Sequence, residues 1–161
     1  MKIIQLLTLF LIIPMLAACT TGQEPKENLP EIYTLALDSF MNLDEALNDG
    51  MEFIAIDMGS LDHLSKEGKQ EVAEFFEETY QVEVKDATFE ELKEQGLFDP
   101  ETMALKGVLL KVEEVNFTLT NDAVINGSKF RSGTGAIDVE SKIHFKGGKW
   151  QVKESKITAI S

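Results

Sequence analysis

The stretch IDVESKIHFKGGKWQV, residues 137–152, decides the fold of the second half of this chain. Its odd positions from Ile137 to Phe145 are apolar apart from one serine, and its even positions are charged or carry an imidazole. A period of two predicts a β-strand with one buried face. The pair Gly147-Gly148 then predicts a tight turn into a second strand that begins near Trp150, which makes an antiparallel hairpin.

The segments around this hairpin predict further antiparallel strands. Apolar residues alternate from Val108 to Val112 and again, on the opposite parity, from Val115 to Leu119. A one-residue slip would turn half of the strand inside out, so we expect a β-bulge at Glu113-Glu114. A similar slip occurs near Glu154-Ser155. Three hairpins therefore join four strands, and the two bulges predict a strongly curved sheet.

The first half of the chain predicts about three helices. Apolar residues recur at spacings of three and four over Ile32–Leu47. Ser65 is a good N-cap for a second helix, and Thr88–Glu91 is a capping box for a third. The run Met51–Asp57 is either a brief strand or a buried connection. Helices followed by strands predict a single α+β domain over residues 31–161, with about three N-terminal helices packed on a curved, bulged, four-stranded antiparallel sheet.

The beginning of the chain is typical of a secretory leader. Lys2 precedes an apolar segment from Ile3 to Leu16, which is shorter than the roughly 20 residues of a membrane span. Ala17 and Ala18 then precede the single cysteine, Cys19. This order predicts a lipoprotein signal peptide at residues 1–18, cleaved so that the thiol of Cys19 carries acyl chains such as palmitate. The alternative is a secreted or membrane-anchored protein in which Cys19 is incidental.

Residues 19–30, CTTGQEPKENLP, predict a disordered tether between this cysteine and the domain, because they are polar and contain glycine and proline. Fully extended, they span at most about 40 Å. We therefore expect the protein at the cell membrane, lipid-anchored on the extracytoplasmic face. Since no second cysteine is present, no disulfide supports the fold.

The formal net charge of −13 is divided unevenly along the chain. Residues 31–105 carry 20 acidic and 4 basic side chains, whereas residues 106–161 carry 6 acidic and 9 basic ones, so the acidity belongs to the helical half. Strong acidity argues against nucleic-acid binding and against docking flat on an anionic membrane. The acidic residues form solvated helix faces or, alternatively, a face that binds cations or a basic partner.

Three segments carry a resemblance to known proteins: NDGMEFIAID at residues 48–57, FEELKEQG at 89–96 and SKFRSGTGA at 128–136. With the order of elements above, the chain resembles the cystatin-like fold of the nuclear transport factor two-like superfamily. It also resembles small Gram-positive lipoproteins of undefined role, which are often labelled solute-binding components of peptide transporters. The resemblance implies a cystatin-like fold and, as one alternative, an accessory lipoprotein of a peptide ABC transporter. It carries over no catalytic residues.

The hairpin at Ser128–Gly135 is the strongest candidate binding site. It collects Lys129, Arg131 and Ser132 beside two glycines, and an arginine can hold a carboxylate or a phosphate with two parallel hydrogen bonds. The alternative is a turn shaped by its glycines, in which Arg131 pairs with an acidic helix.

Trp150 is a second candidate. With Phe117, Phe130 and Phe145 it is placed to line an apolar pocket inside the curved sheet, where this class of fold often binds small molecules. The alternative is that these aromatic side chains close the core.

No motif predicts a metal, a cofactor or a catalytic group. We expect His63 and His144 on the surface, and the proximity of His63 to Asp57 and Asp62 is a loose hint of a cation site. The sequence lacks calcium-loop, phosphate-loop and nucleophile-elbow patterns. We therefore predict a non-enzymatic binding or interaction module whose partner is a peptide, a small molecule or a membrane protein. A second hypothesis is a small isomerase- or dehydratase-like enzyme with a carboxylate or histidine in the sheet cavity.

Overall fold

The computed structural model describes residues 24–161, which form an α+β domain. The predicted signal peptide (residues 1–18), Cys19 and the first residues of the predicted tether lie outside this range. In the rest of that tether, Pro25–Glu27 form a 3-10 turn. The helices are α1 (Leu29–Met41), α2 (Lys66–Tyr80) and α3 (Phe89–Glu94), and the strands are β1 (Phe53–Ile56), β2 (Glu83–Asp86), β3 (Phe98–Asp99), β4 (Ala104–Phe117), β5 (Ala123–Ser132), β6 (Gly135–Lys146) and β7 (Lys149–Ile160).

Within the described residues, seven strands form one open, mixed sheet in the order β2-β1-β4-β5-β6-β7, with β3 also paired to β4. The predicted four-stranded antiparallel, cystatin-like sheet is therefore wrong. β1 pairs in parallel with both β2 and β4, and β3 adds a short antiparallel pair. The sequence left Met51–Asp57 as either a brief strand or a buried connection, because every residue of β1 is buried, so the run Phe53–Ile56 has no polar face and no period of two.

Helix α2 makes the parallel pairing of β1 with β2 possible, because parallel neighbours need a crossover connection. The predicted N-cap is confirmed, since the Ser65 hydroxyl accepts a hydrogen bond from the N–H of Gly68. The predicted capping box of α3 is also confirmed. The Thr88 hydroxyl accepts from the N–H of Glu91, and the Glu91 carboxylate accepts from the N–H of Thr88.

Helices cover the sheet unequally on its two faces. Helices α1 and α2 cover one face, where Ile54 and Ile56 of β1 join the main core. Helix α3 covers part of the other face, where Phe53 and Ala55 of β1 pack with Leu92 in a second, smaller core. Alternate residues of β1 therefore belong to two cores.

The long strands carry the bulges that the sequence indicates. In β4 the pairing register shifts between Val112 and Glu114, which leaves Glu113 as the extra residue and confirms the predicted bulge. In β7 the extra residues are Lys153 and Thr158, on either side of the predicted slip. Bulges of this kind bend a strand and increase its local twist.

The domain has two ends, which we name after an exposed apolar residue at each. The Leu119 end holds the β4–β5 turn, the β6–β7 turn and the start of α1. The Met103 end holds the β3–β4 turn, the β5–β6 turn and the segment 42–50 that follows α1. Among residues 24–161, no helix has the length and apolarity needed to cross a membrane.

Candidate functional site

Lys129, a predicted binding residue, is completely buried and helps to end helix α1. Its Nζ atom donates hydrogen bonds to the backbone carbonyls of Met41, Leu43 and Asp44, at 3.1, 2.9 and 3.1 Å. Helix α1 therefore stops at Met41, although apolar spacing predicted a helix up to Leu47. Burial lowers the pKa of Lys129 to about 8. All three of its hydrogens are used within the fold, so none is left for a ligand.

Arg131 and Ser132 follow on the same strand but perform separate tasks. The Arg131 Nη2 atom donates to the backbone carbonyl of Asp49 at 3.2 Å, which fastens the segment after α1 to the sheet. Its Nη1 atom is buried without a hydrogen-bond partner among the described residues. Ser132 pairs with Gly135 where β5 turns into β6. The three predicted residues of this hairpin therefore do not converge on one ligand position.

Trp150 belongs to the main core and is only 3% exposed. Its ring meets that of Phe145 edge to face, with 5.4 Å between the ring centroids. Phe130 lies on the opposite face of the sheet, where it packs against Phe89 at 5.1 Å. Phe117 and Phe145 pack against the same core as Trp150, so with Phe130 on the opposite face the four aromatic side chains do not line one common pocket.

Three serine hydroxyls meet where α1 crosses β6 and β7. The Ser141 Oγ atom is in hydrogen-bond contact with Ser39 and lies 2.6 Å from Ser155, and Ser155 donates to Ser39 at 3.1 Å. Ser39 also donates to the carbonyl of Ala36. Within the described chain these hydroxyls bond only to one another and to backbone. Since a nucleophilic serine needs an adjacent base, this cluster is structural.

A depression lies at the Leu119 end, and we call it the Tyr33 cleft. Its volume is about 250 Å³, and a neighbouring hollow of about 180 Å³ shares four of its lining residues. The 3-10 turn, the first turns of α1, the loop before α2 and the end of β4 enclose it. Its lining residues are Lys26, Leu29, Tyr33, Asp62, His63, Val115 and Phe117.

The Tyr33 cleft combines apolar walls with groups of both charges. Tyr33 is buried, and its hydroxyl donates to the backbone carbonyl of Asp62 at 3.0 Å. Burial and the Asp62 carboxylate raise the pKa of Tyr33 to about 12, so the phenol stays neutral and rigidly placed. The Lys26 ammonium lies 5.8 Å from the ring centroid of Phe117, which keeps a cation at the rim. His63 has a left-handed backbone, with φ of 61°.

Sequence reasoning found only part of this cleft. The loop with Asp62 and His63 stood out as a loose hint of a cation site, whereas Lys26 fell in the predicted tether. Pro25 and Leu29 are buried, and two apolar residues so close to Lys26 were the available signal that this segment belongs to the domain.

A second groove of about 280 Å³ runs between α2 and β2, and we call it the Lys69 groove. Its lining residues are Met58, Lys66, Lys69, Gln70, Ala73, Val84 and Asp86. No group of three potential metal ligands lies within the described residues. Comparisons of the chain with protein-family models, with curated proteins and with solved structures gave no significant match.

Proposed function

We propose that this protein is a lipid-anchored binding module of the extracytoplasmic membrane face that takes the end of a short peptide, or a similar small zwitterion, in the Tyr33 cleft. The observation that carries the ligand class is the composition of that cleft. Lys26 offers a cation for a carboxylate, Asp62 offers a carboxylate for an ammonium, and Tyr33 with its apolar neighbours offers a surface for a side chain.

The size of the cleft favours a small ligand or one part of a larger one. Pockets that enclose a drug-sized molecule usually measure roughly 300–1,000 Å³. At about 250 Å³ the Tyr33 cleft is smaller, which suits one or two residues of a peptide. The anchor rests on the sequence, because an apolar leader followed by Leu16-Ala17-Ala18-Cys19 is the pattern of a lipoprotein.

The enzyme hypothesis has less support. It requires a buried Asp, Glu or His with a shifted pKa inside the fold. The buried or half-buried groups with clearly shifted pKa values in residues 24–161 are Tyr33, Tyr80 and Lys129. Each is held by a hydrogen bond between elements of the fold, such as that from the Tyr80 hydroxyl to Asp38 at 2.8 Å. These contacts stabilise the fold and occupy the three groups.

Mass spectrometry of the membrane fraction tests the anchor. We expect a mature protein that begins at Cys19 and carries the mass of a diacylglyceryl group on that residue. A Cys19→Ala variant should lose this mass and leave the membrane fraction once its leader is removed. A wild-type protein recovered from the membrane with a free Cys19 thiol would contradict the anchor.

Calorimetric titration of the lipidated protein in nanodiscs tests the cleft. The probe is the dipeptide leucyl-phenylalanine, and the comparison probe is the same dipeptide with acetylated amine and amidated carboxylate. We expect Lys26→Ala to weaken binding of the free dipeptide about tenfold, equal to about 1.4 kcal/mol. Lys69→Ala, in the other groove, is the matched control. Equal binding of both probes, or an equal loss in both variants, would refute the cleft.

A further inference from the structure

The two turns at the Leu119 end belong to hairpins that are neighbours in the sheet. Pairing places Phe117, Ala123 and Ile143 in one row across β4, β5 and β6. Residues 118–122 join β4 to β5, whereas β6 continues three residues past this row, to Lys146, before Gly147 and Gly148 turn it into β7. The β4–β5 and β6–β7 turns therefore project from the same end of the sheet and together form one front.

This front carries the most exposed large apolar side chain among the described residues. Leu119 has a relative exposure of 106%, and it lies between two threonines whose hydroxyls bond to each other at 2.9 Å. An isolated exposed leucine is ordinary on a protein surface. Its position is informative because the described part of the chain begins beside it. The Asn121 side chain in the same turn lies 3.5 Å from the carboxylate of Glu24, the first described residue.

Charge is divided between the two ends of the domain. The two turns at the Leu119 end expose Lys146 and Lys149 and no free carboxylate, because Asp122 bonds to Lys142 and Lys153. Lys26 lies at the same end with four exposed carboxylates, from Glu24, Glu27, Glu31 and Asp62. The Met103 end exposes four carboxylates, from Asp44, Glu45, Asp49 and Glu101. Lys129 and Arg131 at this end are engaged with backbone carbonyls, and Lys106 is its exposed cation. The β4–β5 and β6–β7 turns thus carry lysines beside the first described residue, whereas the Met103 end carries mostly carboxylates.

We propose that the Leu119 end sits on the anionic lipid surface of the membrane, with Leu119 inserted among the headgroups and Lys146 and Lys149 on anionic phosphates. This inference rests on the proposed lipid anchor. At about 3.3–3.6 Å per residue, the five residue steps from Cys19 to Glu24 hold Glu24 within about 18 Å of the acylated residue. Attraction of lysines to anionic lipid acts over roughly one Debye length, which this short connection allows.

This contact of the Leu119 end with the lipid surface, which we call the seat, orients the domain but does not recruit the protein to the membrane. One leucine and a few lysines bind a membrane weakly on their own, but the anchor makes the contact intramolecular and so raises its effective concentration. The Tyr33 cleft lies at the same end, so its ligand would be met at the membrane surface. The Met103 end, with its exposed Asp44, Glu45, Asp49 and Glu101, faces away from the membrane.

Thiol labelling of two matched variants tests the seat. Leu119→Cys and Met103→Cys each place one free thiol at an exposed turn, at opposite ends of the domain, because Cys19 is acylated. The lipidated variants are reconstituted in phosphatidylcholine vesicles containing about 30% phosphatidylglycerol and treated with a membrane-impermeant maleimide. We expect position 119 to react at least about fivefold more slowly than position 103. Lys146→Glu with Lys149→Glu, or vesicles of phosphatidylcholine alone, should reduce this protection.

The outcomes separate the two proposals. Acylated, vesicle-bound protein whose two thiols react at equal rates overturns the seat and leaves the anchor intact. Protection at position 119 that ignores both the lysine substitutions and the lipid charge overturns the proposed contact with anionic phosphates. Protein without an acyl group on Cys19 overturns the anchor, and the seat falls with it.

Discussion

The two halves of the sheet bury their strands in different ways. In the parallel half, β1 has helices over both faces, and its residues alternate between two cores. In the antiparallel half, β5 and β6 have α1 on one face, while the residues of the other face are half-buried or exposed. A strand covered on both faces loses its polar residues, so it stabilises the fold more per residue and is harder to recognise in the sequence.

Truncation in the parallel half should have the largest effect. Ile54 of β1 is fully buried, so Ile54→Ala should lower the free energy of unfolding by about 3–4 kcal/mol, since it removes buried methyl groups and leaves a cavity. Val124→Ala, on the half-buried outer face of β5, should cost less than about 1 kcal/mol. Urea unfolding measures both values. Similar losses at the two positions would abolish the distinction between the halves.

In the antiparallel half, Lys129 is a lysine that lies in the core. Lys129→Met keeps the length of the side chain and removes its charged donors. Asn48 and the N–H of Leu47 still donate to the carbonyls of Met41 and Asp44, but the carbonyl of Leu43 loses its Lys129 donor.

We expect Lys129→Met to lower the free energy of unfolding by about 2 kcal/mol, because the lost charged hydrogen bonds outweigh the relief of burying an ammonium. Urea unfolding measures the change. Lys111→Met, on an exposed position of β4, is the control and should be nearly neutral. A higher free energy of unfolding for Lys129→Met would show that Lys129 destabilises the fold.

The sequence predicted the antiparallel half well because period two, turn residues and bulges are local signals. The slip at Glu113 appears in the alternation itself, and the caps at Ser65 and Thr88 appear as short motifs. The parallel half depends on contacts between β1 and residues about 30 and 50 positions away, which no local pattern reveals. The continuous apolar run of β1 fits a buried strand and a buried connection equally well.

The candidate binding residues lie apart in the structure, and the reason is a different one. Lys129 lies at an odd position of β5, like Ala123, Ile125 and Gly127, which all face the core. Because side chains alternate between the two faces of a strand, the sequence already indicated that Lys129 is buried. Charge and neighbouring glycines nevertheless made it look like a binding residue. The Tyr33 cleft joins residues from four separate segments, and only the folded chain brings Lys26 close to Phe117.

The pH dependence of stability should distinguish Lys129 from the surface lysines. Its pKa is about 8 in the folded protein, below the ordinary 10.5, so the unfolded chain holds the extra proton between these values. Unfolding free energy contributed by this residue therefore rises with pH across about 8 to 10.5 and is flat outside that window. The wild-type value minus that of Lys129→Met should rise by about 3 kcal/mol over the window, because each pKa unit corresponds to about 1.4 kcal/mol. A constant or falling difference would contradict the lowered pKa.

We expect the smallest change in unfolding free energy when a serine on each face of the sheet is replaced by alanine. Ser141 is fully buried on the helical face of β6, and Ser128 is half-buried on the outer face of β5. Ser141→Ala removes a hydroxyl that links Ser39 of α1 to Ser155 of β7, but those two still bond to each other at 3.1 Å. We therefore expect a loss of only about 1 kcal/mol, against a negligible change for Ser128→Ala. Both are measured by urea unfolding, and a loss at Ser128 equal to that at Ser141 would mean that the helical face gains nothing from its polar contacts.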